Sequence, residues 1–198
     1  MKIAVFASGN GTNFTAIQQA VADEALHVTI EFVFCDQPHA KVIERAQLVG
    51  IPYYHFAPKN FPTKAAFEEQ LVTILEEHDV EYVILAGYMR LIGSVLLARY
   101  PNRIVNIHPS LLPAYPGTKS IKEAYEAGVT QSGITIHYID EGIDTGPIIC
   151  QKVVPRYPED TFAAFEERIH AMEHRIYPQI IEEISQHKGV SDEKTSVN

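Results

Sequence analysis

Lys2-Ile3-Ala4-Val5-Phe6-Ala7-Ser8-Gly9-Asn10-Gly11-Thr12-Asn13 carries an apolar segment directly into a glycine turn, and Phe14, Ile17, Ala20 and Val21 then recur at helical spacing. That order predicts strand, loop, helix, the opening unit of an alternating α/β chain. A second unit follows. Residues 28–35 are rich in β-branched and aromatic side chains, and 40–49 set Val42, Ile43, Ala46 and Val49 on one helical face before Gly50 ends the helix. An extended piece around 53–56 leads to a helix over 63–78, with Thr63 as N-cap and Phe67, Leu71, Ile74 and Leu75 on its buried face. Residues 82–86 are apolar without interruption, the pattern of a parallel strand covered on both faces. The fold expected is α/β, a doubly wound and mostly parallel sheet.

Beyond Tyr100-Pro101 the texture changes. A strand over 103–108 precedes a proline-rich loop with Pro109, Pro113 and Pro116, then a helix near 119–127. Strands over 133–139 and 147–154 read as an antiparallel pair at one end of the sheet. A long C-terminal helix spans 161–186, with Phe162, Phe165, Ile169, Met172, Ile176, Ile180 and Ile184 three or four apart, and Pro178 is expected to kink or interrupt it. No internal repeat or low-complexity linker divides the chain. We expect one domain over 1–188, with an N-terminal half to about 100 and a C-terminal half from about 101, followed by a polar tail at 189–198.

Composition narrows the function classes. The 198 residues hold 46% hydrophobic side chains, enough for one full-sized core. The longest apolar run is far short of the ~20 residues that span a membrane, and the apolar run after Lys2 stops at Ser8-Gly9 before it forms a signal segment, so a cytoplasmic protein is expected. Two cysteines, Cys35 and Cys150, supply neither a CxxC pair nor a disulfide framework. A formal net charge of -9 disfavours nucleic acid and anionic membrane as partners, so an anionic substrate must be held by local groups.

Four segments carry candidate chemistry. Ser8-Gly9-Asn10-Gly11-Thr12-Asn13 lies where backbone N–H groups at a helix start cradle a phosphate, although Phe14 stands where the dinucleotide fingerprint needs its third glycine. Asp36, ending the second strand, would reach a ribose hydroxyl in a nicotinamide-dinucleotide reading. In Asn106-Ile107-His108-Pro109, the period of two puts Asn106 and His108 on one strand face, near the C-terminal end where open α/β sheets place their sites. Burying two polar groups side by side has a desolvation cost that a catalytic role explains. Asp140-Glu141-Gly142-Ile143-Asp144-Thr145-Gly146-Pro147 is a tight acidic loop whose carboxylates reach toward a histidine at the sheet edge. Leu85-Ala86-Gly87-Tyr88-Met89-Arg90-Leu91-Ile92 offers a small-residue gap, apolar side chains and one cation, suited to a flat aromatic ligand with a carboxylate.

One match is a decoy. His170-Ala171-Met172-Glu173-His174 fits the H-x-x-E-H zinc pattern, but only 24 residues follow His174 to supply the further acidic ligand, and no metal is expected.

With these residues assembled, the sequence resembles the phosphoribosylglycinamide formyltransferases, folate-dependent transformylases of purine biosynthesis. The likeness runs from Met1 to about Ile184 through five motifs in order: the glycine loop, 85–90, Asn106 to Pro113 with Tyr115-Pro116-Gly117, 140–147, and Glu173-His174-Arg175-Ile176-Tyr177-Pro178. The resemblance implies a Rossmann-like formyltransferase fold, 10-formyltetrahydrofolate as donor and a phosphoribosyl glycinamide as acceptor. Asn106, His108 and Asp144 match its catalytic positions. Gly11, Thr12, Asn13, His170 and Glu173 match positions around the acceptor's ribose phosphate. Lys64, Met89, Arg90, Leu91, Ile92 and Asn106, with Asp140, Glu141, Gly142, Ile143 and Asp144, match the folate pocket. Thr12 stands where serine is common, Lys64 where arginine is usual, and His170 where lysine or glutamine is familiar. Small-molecule partners are implied, with a monomer or homodimer.

Three other readings are weaker. Related formyltransferases acting on initiator tRNA or nucleotide sugars, and the formyltetrahydrofolate hydrolase, share Asn-x-His and the later Asp. The tRNA enzymes and the hydrolase carry an extra domain for which 198 residues leave no room. A nucleotide-binding module without catalysis has no use for Asn106, His108 and Asp144. A serine hydrolase built on Ser110 lacks the G-x-S-x-G elbow.

Overall fold

The computed structural model describes residues 1–193, with side chains through His187. Seven strands form one sheet in the order β3-β2-β1-β4-β5-β6-β7. The chain starts at β1 (Lys2–Ala7), steps outward through β2 (Thr29–Cys35) to β3 (Tyr53–His55), and returns to the other side of β1 with β4 (Tyr82–Leu85) and β5 (Ile104–His108). These five are parallel to one another. The reversal of winding between β1 and β4 creates the crevice in which such sheets bind ligands. β6 (Gln131–Tyr138) runs antiparallel to both β5 and β7 (Ile148–Pro155). The antiparallel portion therefore begins one strand earlier than the β6·β7 pairing alone, because the proline loop after His108 and the short helix behind it bring the chain back beside β5.

Strand alternation sorts β1 between two cores: Ile3, Val5 and Ala7 face one cluster, Ala4 and Phe6 the other. Helices α1 (Thr12–Ala22), α2 (Lys41–Leu48), α5 (Ser120–Glu126) and α6 (Phe162–Glu193) cover the first cluster. Helices α3 (Lys64–Glu77) and α4 (Ser94–Arg99) cover the second, where Phe6 and Phe34 each meet Tyr88, and Phe56 meets Phe67, edge to face. Thr63 caps α3 as expected, its hydroxyl accepting the Ala66 N–H at 3.0 Å. Helix α4 has no counterpart in the sequence reading, since six residues are too short for periodicity to register.

The long helix runs through Pro178 without interruption. Directly before the proline, Tyr177 is fully buried and its hydroxyl lies 3.0 Å from the carbonyls of both Leu85 and Val105. That strap fixes α6 against the ends of β4 and β5 and brings Glu173, one turn earlier, to the sheet's C-terminal edge. The helix bounds include 189–193, and the rest of the expected polar tail, 194–198, lies outside the described residues. Among the described residues no helix is long and apolar enough to cross a membrane.

Candidate active site

A cavity of about 570 Å³ opens along the C-terminal ends of β1, β4 and β5. Its floor is the catalytic candidate set, one end is the glycine loop, and the other wall is the irregular segment after β4.

At the floor, Asn106 and His108 project from β5 on the face opposite Val105 and Ile107, as the period of two requires. His108 is buried. Its Nε2 lies 2.8 Å from the Tyr115 carbonyl and its Nδ1 3.4 Å from Asp144 Oδ2. Both ring nitrogens thus face oxygen acceptors, and only the imidazolium donates to both. Asp144 arrives from the loop after β6, with a left-handed backbone at φ 55° and a side chain 13% exposed. Its Oδ2 also accepts the Gly117 N–H at 2.8 Å, which locks the 116–118 turn to the carboxylate.

A residue absent from the sequence reading supports the floor from behind. His137 lies directly across from Asn106 in the β5·β6 register and is fully buried. Its Nδ1 donates to the Tyr138 carbonyl at 2.9 Å, which leaves Nε2 as an acceptor for the Asn106 amide N–H at 3.2 Å. Desolvation lowers the His137 pKa, outweighing the hydrogen bond to Tyr138 and the charge of Asp144, so the ring is neutral at physiological pH. The Asn106 amide orientation follows from that tautomer, with one N–H left for the cavity. Thr135 and His137 interrupt Ile134 and Ile136 just as Asn106 and His108 interrupt their strand, so the same period-two argument would have found them.

At the anion end, Gly11 takes φ +72° and opens α1, with Gly9 through Asn13 lining the cavity. A Cβ at Gly11 would meet Val42 side-chain atoms at 2.6 and 2.7 Å and the Val42 backbone at 2.9 Å. The glycine is thus required for packing on α2 as well as for its backbone angle. Glu173 is buried on α6, and its Oε2 accepts from Asn13 Nδ2 at 3.3 Å and faces His170 Nδ1 at 2.8 Å. The hydrogen bond to Glu173 raises the His170 pKa against partial desolvation. Asn13 Oδ1 is buried with no hydrogen-bond partner among the described residues, an acceptor left for a ligand donor. The His174 ring stacks on His170, and burial lowers its pKa. No cluster of three metal-ligating side chains occurs among the described residues.

The remaining wall comprises Tyr88 to Ile92 with Asp140, Gly142 and Ile143 facing it. Met89, Leu91 and Ile143 are exposed apolar side chains at its mouth. Two expected pocket residues fall elsewhere. Lys64 sits at the start of α3, 3.9 Å from Glu68, and does not line the cavity; Glu141 is exposed on the outside of its loop. Asp36 is also outside the cavity wall. Its carboxylate is occupied by Ser8 Oγ at 2.6 Å, Arg90 Nε at 2.5 Å and Gln37 Nε2 at 2.8 Å, which removes it from any ribose-binding role. Burial pushes its pKa up, but these hydrogen bonds and the Arg90 charge outweigh that and hold it below the ordinary carboxylate value.

Comparison with known proteins agrees with this geometry. Residues 1–181 match the formyl transferase family model. The phosphoribosylglycinamide formyltransferase of Bacillus subtilis (strain 168) is 51% identical over 183 residues, covering 92% of this chain and 94% of that protein. That of Escherichia coli (strain K12) is 34% identical over 181 residues, covering 91% and 85%. The crystal structure of glycinamide ribonucleotide transformylase 1 from Geobacillus kaustophilus superposes with a TM-score of 0.90 at 51% identity, covering 92% of this chain and 97% of the other.

Proposed function

The chain belongs to the formyl transferase family, and on that premise we propose that it transfers the formyl group of 10-formyltetrahydrofolate to the amine of 5'-phosphoribosylglycinamide, a step of purine biosynthesis. It is a one-carbon group transferase. The observation that carries the reading is the convergence of Asn106, His108 and Asp144 on one cavity floor, with an anion cradle at one end and an apolar wall at the other.

The acceptor's phosphate is held by the backbone N–H groups of Gly11 to Asn13, with His170 beside them, and Glu173 and Asn13 take the ribose. The donor's aromatic portion lies along Met89 to Ile92 and the 140–144 loop. In the reaction the acceptor's amine nitrogen attacks the formyl carbon and the carbonyl π pair moves onto oxygen. The tetrahedral oxyanion is met by the free Asn106 N–H and by the positive charge of a His108 imidazolium, whose two N–H groups face Asp144 and the Tyr115 carbonyl. Collapse breaks the bond from formyl carbon to folate nitrogen. The attacking nitrogen loses one proton and the leaving nitrogen gains one, so no net proton is consumed. His108 Nδ1 and Asp144 are the groups placed to carry that proton, and neither a covalent enzyme intermediate nor ATP enters the balance.

The test is turnover of the purified protein with both substrates: tetrahydrofolate and formylated glycinamide ribonucleotide should form in equal amounts. Formate release without acceptor would identify a hydrolase instead and overturn the reading.

A further inference from the structure

The wall after β4 has no regular secondary structure from Ala86 to Gly93, so its backbone polar groups need tertiary partners. They find them behind the wall. Ser8 donates its N–H to the Gly87 carbonyl at 3.0 Å, and its Oγ accepts the Met89 N–H at 2.9 Å. The same Oγ donates to Asp36 Oδ1, while Asp36 Oδ2 holds Arg90 Nε. At the far end, buried Glu68 accepts the Gly93 N–H at 2.5 Å and the Leu96 N–H at 3.3 Å, fixing the start of α4. Asp36 is 1% exposed and does not itself line the cavity, yet it reaches two consecutive wall residues, one through a hydroxyl and one through a guanidinium. Three donors converge on its two oxygens, which only a carboxylate accepts without leaving a donor opposed to a donor.

We propose that Asp36 is a positioning residue for the formyl donor, acting through Ser8 on the Met89 backbone and through Arg90 on the cavity wall. The proposal rests on the assignment of this wall to the donor. Arg90, with its side chain 40% exposed, keeps its Nη groups for a ligand carboxylate while its Nε is anchored behind. An unanchored arginine and an unpinned backbone would have to be ordered anew each time the donor binds, which weakens binding without touching the reacting atoms.

The experiment compares Asp36→Asn and Ser8→Ala with the wild-type chain in steady-state kinetics, and follows hydrogen exchange at the Met89 amide by NMR. Asp36→Asn sets an amide N–H against one of the three donors; Ser8→Ala removes only the Met89 link and keeps the buried charge pair. We expect the donor KM to rise roughly tenfold in Asp36→Asn and less in Ser8→Ala, the scale of ordering one long side chain and a short loop. The kcat and the acceptor KM should stay near wild type. Met89 should lose protection in both variants while β1 and β4 amides keep theirs. An unchanged or lower donor KM in Asp36→Asn with Met89 still protected would mean that Asp36 merely offsets the Arg90 charge, and overturns the proposal. Equal loss of protection across the sheet also overturns it, by showing general destabilisation. If Asp36→Asn does not fold, Ser8→Ala carries the same two readouts. If the wild-type chain transfers no formyl group, the functional reading fails while exchange at Met89 still decides the positioning role.

Discussion

Asp144→Asn isolates the charge of the catalytic carboxylate from its shape. Asparagine tolerates the left-handed backbone that Asp144 occupies, and its amide oxygen still accepts the Gly117 N–H, so the loop keeps its form. What changes is the partner of His108 Nδ1, now an amide in place of a carboxylate 3.4 Å away. At an effective dielectric near 20, two unit charges at that separation attract by about 5 kcal/mol. Because Asp144 is partly exposed and already shares Oδ2 with Gly117, we take about 3–4 kcal/mol as lost from the transition state, or roughly a 10²- to 10³-fold fall in kcat. Affinity for either substrate should change far less. His108→Ala should be comparably harmful, and the double variant should lose little more, because the two side chains act as one unit. The assay is single-turnover formyl transfer by rapid quench, with both substrates saturating, in variants whose folding is verified by circular dichroism. Near-normal chemistry in Asp144→Asn, or strictly additive losses in the double variant, would refute the electrostatic role.

Replacing His137 by phenylalanine removes the acceptor that orients Asn106, and kcat should fall roughly tenfold or more with small KM changes; unchanged turnover would assign His137 to packing alone. The lowered pKa of His137 also has a sign for stability: the neutral ring stabilises the fold above about pH 6.5, and this is lost as pH falls below the unfolded value, so wild type should lose more stability in acid than His137→Phe. His170 works in the opposite sense. Its raised pKa, set by Glu173 and Glu166 against partial desolvation, keeps the cation above about pH 6.5, so acceptor KM should climb as pH rises through that pKa. His170→Lys should abolish the climb, and His170→Ala should raise KM mainly at low pH; a pH-independent wild-type KM would exclude phosphate contact. Gly11→Ala combines left-handed strain of about 1–2 kcal/mol with the collision against Val42, so thermal melting should show a large loss of stability in the unliganded protein. A normal melting temperature would refute the packing role of Gly11.

Period-two and period-3.6 arguments reached the elements that bury a face, because burial is what writes periodicity into a chain. β1, β4 and α3 were legible for that reason, and so were Asn106 and His108, as polar breaks in an apolar strand. The determinants of their chemistry were written elsewhere. The ring of His108 is oriented by the Tyr115 carbonyl, a backbone group with no side-chain signature, held on a residue at φ 53°. Asp36 looked like a ribose ligand because strand ends of this fold present acids to ligands, but Arg90 lies 54 positions away in sequence and reaches the carboxylate first. Lys64 matches the pocket by likeness alone; its ammonium lies 3.9 Å from buried Glu68, one helical turn on, and it does not line the cavity. Each of these turns on which partner arrives across the sheet, a property of register and not of local pattern. A site assembled at the switch point of such a sheet therefore takes its residue types from motifs and its protonation states and orientations from neighbouring strands, here β6 above all. A change at His137 should consequently alter Asn106 chemistry while leaving every recognised motif intact.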